Sequence, residues 1–204
     1  MVSVLKMTQA QAAKQTADDD NVLMARVAAR DADAFRTLVD AHVRTIHRIA
    51  FRMLGEASAA EDIAQESLLR LWDHAARWRG DGPGVAAWLT RVANNLCLDR
   101  LRRRKFSSDE AVPDRADPAP GADDVMDEAE MTSLTKMCIG TLSDRQRSAI
   151  ILTYYEDMSN NDAATALDMN IKAFESLLLR ARHSLRRSIE QSGFMPDFVK
   201  RDRI

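Results

Sequence analysis

SNNDAATAL (residues 159–167), DMN (168–170) and IKAFESLLLRARHSLRR (171–187) decide how this chain folds. Ser159 followed three residues later by Asp162 marks a helix start, because the Ser side chain satisfies an orphan N–H and an acid suits the positive helix end. Asn170 precedes a longer helix in which Ile171, Phe174, Leu178, Ala181 and Leu185 recur at three- and four-residue steps. That spacing buries one stripe and turns Lys172, Glu175, Ser176, Leu179, Arg180 and His183 outward. Asp168 stands in the turn where Gly is commonest, and Asp tolerates the positive φ needed there. A brief helix, a three-residue turn and a longer helix with a polar outer face form the layout of a helix-turn-helix, whose second helix enters the major groove. A plain helical hairpin shares the pattern, but five bases against Glu175 alone over 172–187 favour DNA.

Upstream of this motif, Ser143 with Gln146 signals another helix start. Before that lies a segment of opposite character. Residues 106–130 hold nine acids against Arg115 alone, a net −8, with Pro113, Pro118, Pro120 and Gly121 and few large apolar groups. They read as a solvated acidic linker of at most about 80 Å when extended, which lets the flanking units sit far apart. The chain's net charge of −2 therefore hides +6 outside the linker. Part of it is concentrated in 91–105, with six bases against Asp99, and such clustering is the electrostatic footprint of a nucleic-acid partner.

The N-terminal unit is helical as well. Phe35, Leu38, Val39, Val43, Ile46, Ala50, Met53 and Leu54 form the stripe of one long helix that Gly55 ends. Ser58 with Glu61 reads as the cap of a second, running through Ala64, Leu68, Leu71 and Trp72. A breaker-rich loop over 78–84 leads to a third, with Pro83 in its first turn and Val85, Leu89, Val92, Ala93 and Leu96 inward. No strand-like alternation occurs, so the expected fold is all-α: a frayed tail over 1–20, helical units over 21–105 and 131–190, and a C-terminal tail over 191–204.

At 204 residues, 46% apolar and 29% charged, the chain has an ordinary globular composition. Cys97 and Cys138 lack the paired spacing of a zinc site or a disulfide scaffold. No run approaches a membrane span and no signal-peptide layout opens the chain, which points to the cytoplasm without membrane insertion. His42, His47, His74 and His183 show no ligand spacing, and no phosphate loop or nucleophile elbow is present, so neither an enzyme nor a cofactor is expected.

Two further surfaces carry chemistry. Trp88, Arg91, Asn95 and Arg102 share one side of the third helix, where together they suit stacking on a base, reading its edge and holding phosphates, as single strands require, whereas Trp88 taken alone fits better as a core residue at the edge of the buried stripe. On the second helix, Asp62, Gln65 and Glu66 precede Leu68, Leu69, Leu71 and Trp72, more apolar surface than one stripe needs. That fits a protein-binding face; acids at a helix start followed by core leucines fit equally.

Read in order, these pieces resemble a sigma factor of the extracytoplasmic-function (ECF) class of the bacterial sigma-70 superfamily, over roughly 22–105 and 126–188. Ala60-Glu61-Asp62-Ile63-Ala64-Gln65-Glu66 is similar to the segment that grips the polymerase clamp helices, and Trp78-Arg79-Gly80-Asp81 to the loop that captures a flipped minus-ten base. Trp88-Leu89, Ala93, Asn95, Asp99 and Arg102 match the strand-opening helix, with Asn95 at the position of duplex invasion. Leu142-Ser143, Arg147 and Arg180-Ala181-Arg182 match the minus-thirty-five reader.

The resemblance implies a non-enzymatic subunit that directs core RNA polymerase to promoter DNA, helps melt it and is held by an anti-sigma factor. Its core-polymerase contacts would be Asp62, Gln65, Glu66, Leu68, Leu69 and Trp72. The minus-ten contacts would be Trp78, Arg79, Trp88, Arg91, Asn95, Arg102 and Arg103, and the minus-thirty-five contacts Lys172, Glu175, Ser176, Leu179, Arg180 and Arg182. Glu175 departs from the family, which usually carries a base there, and Gly82-Pro83-Gly84 stiffens the loop. A stand-alone helix-turn-helix regulator and a polymerase-bound adaptor that opens no DNA are the competing readings.

Overall fold

The computed structural model describes residues 19–107 and 133–192. Residues 1–18, 193–204 and the part of the expected linker over 108–130 lie outside them. Within the described residues every regular element is helical. The first group comprises α1 (residues 19–28), α2 (Ala32–Leu54), α3 (Ala57–His74, tightening to a 3₁₀ turn over Ala75–Arg77) and α4 (Val85–Ser107). The second comprises α5 (Ser133–Gly140), α6 (Asp144–Ile150), α7 (Asn160–Ala166) and α8 (Ile171–Ser192).

Local chemistry explains most boundaries. Asp31 starts α2 by accepting from the N–H groups of Asp33 and Ala34 at 3.0 and 3.1 Å. The Ala34 N–H, followed by the Arg26 guanidinium, holds the Asp31 carboxyl below its ordinary pKa. Gly55 ends α2 at φ 73°, its N–H on the Phe51 carbonyl. Ser159 starts α7 by accepting from the Asp162 N–H, and its hydroxyl donates to the Asp162 carboxylate at 2.6 Å. Asn170 starts α8 through its side-chain oxygen, which accepts from the Ala173 N–H at 2.8 Å. Asp168 sits at φ 55°, as the tight turn requires.

Three expectations need correction. Helix α3 begins at Ala57, before Ser58, whose hydroxyl donates to the Glu56 carboxylate instead of capping. Pro83 lies outside α4, because Gly84, at φ 88°, accepts the first helical hydrogen bond from Trp88. Asp19 and Asp20 do not belong to a frayed tail: they open α1, and buried Asp20 meets buried His42 of α2 at 2.9 Å. A carboxylate with an imidazole partner can leave water.

Met24, Leu38, Ile46, Ile49, Met53, Leu71 and Leu89 fill the first group, and Ile150, Ile151, Leu152, Phe174 and Ile189 the second, all under 2% or at 2% exposed. Each such side chain stabilises the fold by about 1.5–3 kcal/mol. The two groups are not apart, as the linker length would allow. They pack along a seam in which α2 and α4 meet α6 and the turn after it, and α4 also meets α7. Arg147 of α6 donates to the Met53 carbonyl at 2.9 Å across it.

Candidate nucleic-acid interface

The outer face of α8 carries Lys172, Glu175, Ser176, Leu179, Arg180 and Arg182, all exposed, as the spacing requires. Leu179 is 54% exposed, so an apolar group stands among the polar ones. Arg180 donates from Nε to the Ser176 carbonyl at 3.2 Å, which aims its guanidinium along the helix. Arg147, expected beside these residues, is instead committed to the Met53 and Gly140 carbonyls at 2.9 Å each. Burial pushes its pKa down.

On α4, Arg91, Asn95, Arg102 and Arg103 are exposed and Trp88 is half-buried. Trp88 stacks on His74 with ring centres 5.1 Å apart and meets Trp78 edge-on at 6.3 Å. The Trp78 indole N–H donates to the Asn21 side-chain oxygen at 2.8 Å, which ties the loop before α4 to α1. A Cβ on Gly80, at φ 71°, would stand 3.3 Å from the same oxygen. This loop therefore has both conformational and steric reasons for glycine there. Arg79 remains exposed beside it. Sequence reasoning missed His74 and Asn21: Asn21 acts across 57 residues and His74 reaches Trp88 in the next helix, where no periodicity signals contact, although the edge-on meeting of His74 with Trp78 is local.

Not all of the α4 surface is open. Arg91 pairs with Asp168 of the helix-turn-helix turn at 2.9 Å, and Lys105 with Asp144 of α6 at 2.8 Å. Asn95, Leu98, Asp99 and Arg102 line a cleft of about 500 Å³ closed on its far side by Asp144 and Arg145.

On α3, Asp62 and Gln65 are exposed and Leu69 is 57% exposed. Asp62 pairs with Arg100 at 3.0 Å and Glu66 with Arg70 at 2.8 Å. They share with Leu69 and Arg103 a groove of about 700 Å³ between α3 and α4. Trp72 is half-buried, edge-on to Phe35 at 5.0 Å with the Arg30 guanidinium 5.1 Å from its ring centre. Leu68 is a correction. It is 7% exposed and belongs to the core, because it lies one turn after Ala64 on the inward stripe.

Residues 38–107, spanning most of α2 to α4, match the family described as Sigma-70 region 2, and residues 134–185 match Sigma-70 region 4. ECF RNA polymerase sigma factor SigL of Mycobacterium tuberculosis is 32% identical over 174 residues, covering 83% of this chain and 98% of that one. This chain belongs to the ECF sigma factors. ECF sigma factor SigW of Bacillus subtilis is 28% identical over 78% of this chain and 90% of its own. The fold of this sigma factor is similar to CnrH, solved with the cytosolic domain of CnrY: 23% identity, TM-score 0.62, 85% of this chain and 98% of that one. A free-standing helix-turn-helix regulator would leave residues 38–107 unaccounted for. No helix among the described residues is long and apolar enough to cross a membrane.

Proposed function

We propose that this sigma factor binds bacterial core RNA polymerase, reads an upstream and a downstream promoter element, and helps separate the DNA strands without catalysing a reaction. The observation that carries the reading is the pairing, in one chain, of a helix-turn-helix with an exposed polar face and a separate helix that presents Asn95 and a run of arginines beside an aromatic cluster. Residues 21–105 act on the minus-ten element and polymerase, residues 131–190 on the minus-thirty-five element, and 106–130 links them.

The chemistry divides accordingly. Asp62, Gln65, Glu66 and exposed Leu69 offer polymerase a charged and apolar edge, with Trp72 at its margin. Trp78, Arg79 and Trp88 provide ring faces and charge for an unstacked base. The Asn95 amide satisfies unpaired base edges, while Arg91, Arg102 and Arg103 neutralise phosphates. On α8, Lys172, Arg180 and Arg182 hold the backbone and Glu175, Ser176 and Leu179 face base edges. Two elements about two helical turns apart are separated by roughly 70 Å, within the linker's reach of about 80 Å. The protein acts in the cytoplasm and is held by an anti-sigma factor, as relatives solved with such partners support.

Run-off transcription from purified parts tests this. The chain with core polymerase gives a discrete transcript from a selected promoter, and either alone gives none. Asp62→Lys with Glu66→Lys lowers recovery of core polymerase in a pull-down at unchanged helicity. Unaltered recovery by that double variant would remove α3 from the contact.

A further inference from the structure

Helix α1 precedes everything that the region 2 match covers, since that match begins at residue 38. It is nevertheless built into the first group. Asp20, Met24 and Val27 lie four and three residues apart, hence on one face, and all three are buried, Asp20 against His42 of α2. Asn21 stands at the margin of that face, half-buried, one residue after the Asp20–His42 contact. The core beneath α1 therefore fixes where its side chain begins.

What Asn21 holds is the loop before α4. Three of the seven residues over 78–84 are glycine, and Gly80 and Gly84 take φ of 71° and 88°, so this backbone has unusual freedom. Its backbone hydrogen bonds to the flanking helices lie at the two ends: Trp78 N–H to the Ala75 carbonyl and Trp88 N–H to the Gly84 carbonyl, both 3.1 Å. The Asn21 carboxamide meets the loop at two positions. Its oxygen accepts from the Trp78 indole N–H at 2.8 Å, and a Cβ on Gly80 would stand 3.3, 3.4 and 3.6 Å from Oδ1, Cγ and Nδ2. The indole has a single donor, so this bond gives a direction to a ring that His74 and Trp88 already meet edge-on at 6.2 and 6.3 Å. Bare backbone at Gly80 lets the loop settle on the same group.

We propose that Asn21 is a positioning residue for minus-ten recognition: acting through Trp78 and Gly80, it selects the one loop conformation in which Trp78 and Arg79 discriminate among bases. The inference rests on the assignment of Trp78 and Arg79 to the minus-ten element under the proposed function. Specificity is a difference of affinities, so it depends on how narrowly the loop is held. With the indole free to turn, the ring and the Arg79 charge are offered in several arrangements, each with its own best base, and the preference averages out. One hydrogen bond of this kind shifts such a balance about two- to tenfold. A determinant of promoter choice then lies 57 residues before the loop it serves.

Holoenzyme selection from a library randomised over both promoter elements tests this, with core polymerase recovery and circular dichroism measured on the same variants. Asn21→Ala and Asn21→Leu both remove the acceptor, the second while keeping the number of heavy atoms; Asn21→Asp retains an acceptor. The first two are expected to flatten the minus-ten preference about two- to tenfold, with upstream preference and polymerase recovery unchanged, and Asn21→Asp to keep the natural preference. Trp78→Phe removes the donor instead, and adding Asn21→Leu to it is expected to cost nothing more at the minus-ten element, as for two partners of one contact. The Trp78 indole N–H resonance, identified by its loss in Trp78→Phe, is expected to move in Asn21→Leu. An unmoved resonance would overturn the proposal, as would acceptor-less variants that lose polymerase and all promoters alike. Natural minus-ten preferences in those variants, with altered ones in Arg79→Ala, would overturn it and leave the minus-ten assignment of the loop standing. Natural preferences in Arg79→Ala as well would remove both.

Discussion

Asn94 offers the sharpest test of the energetics of α4. Its side chain is 1% exposed, and neither the amide nitrogen nor the amide oxygen has a hydrogen-bond partner within the protein. An amide can donate twice and accept twice, and leaving such a group buried and unmade costs about 1–3 kcal/mol. Leu branches at the same carbon with the same number of heavy atoms and no polar atom, and its bulkier methyl groups offset part of the gain. Asn94→Leu should therefore raise stability by up to about 2 kcal/mol, and the melting midpoint by roughly 2–4 °C for each kcal/mol in a chain of this size. Urea and thermal unfolding followed by far-ultraviolet circular dichroism measure this directly, provided the urea slope is unchanged. A Leu variant less stable than the natural chain by more than about 1 kcal/mol would refute the reasoning, since it would mean that the amide is satisfied in the folded state.

Other outcomes follow from the same structure. Burial pushes the Cys97 thiol up to about 12; native protein at pH 8 should resist iodoacetamide at that residue until urea is added, and rapid native labelling would contradict the packing. Asn95→Ala should leave closed promoter complexes nearly intact and reduce permanganate reactivity in the melted region; equal reactivity would remove Asn95 from strand opening. Replacing Arg102 and Arg103 by Ala should flatten the salt dependence of holoenzyme binding by about 0.7–0.9 per lost phosphate contact, read from affinities across a salt series. Glu175 only accepts hydrogen bonds when ionised, so cytosine N4 is its donor partner. Holoenzyme selection from a randomised promoter library should show cytosine at that contact, discriminated by about 1–3 kcal/mol, and Glu175→Arg should change it; identical preferences would end the readout.

What could be read from the sequence was what neighbours in the chain determine. Gly55, Ser159, Asp168 and Asn170 act on N–H groups or turns within a few residues, and the apolar stripe of α8 follows from one helical period. The α7–α8 motif and the all-helical class were legible for that reason. The seam was not. Arg48 and Glu156, paired across it, are 108 residues apart, and no local pattern relates them. Leu68 was misjudged because α3 carries leucines on adjacent positions, and only the packing of α2 and α4 shows that Leu69 is the outward one. Ser58 looked like a cap because a serine followed by a glutamate is a local signal; Glu56, one residue before Ala57, occupies that place.

The turn that follows α6 widens over Ile151–Tyr155, so that the Glu156 N–H reaches the Ile151 carbonyl five residues back, and this has an evolutionary consequence. A π-type turn is equivalent to one residue inserted into an α-helix. Because the turn absorbs that residue locally, deleting a single codon within it would restore the ordinary helical repeat and leave Glu156 facing Arg48 and Arg52. A loss that elsewhere in a helix would turn everything after it by about 100° is therefore tolerated here, and within a lineage this segment can shorten by three nucleotides without parting the two helical groups.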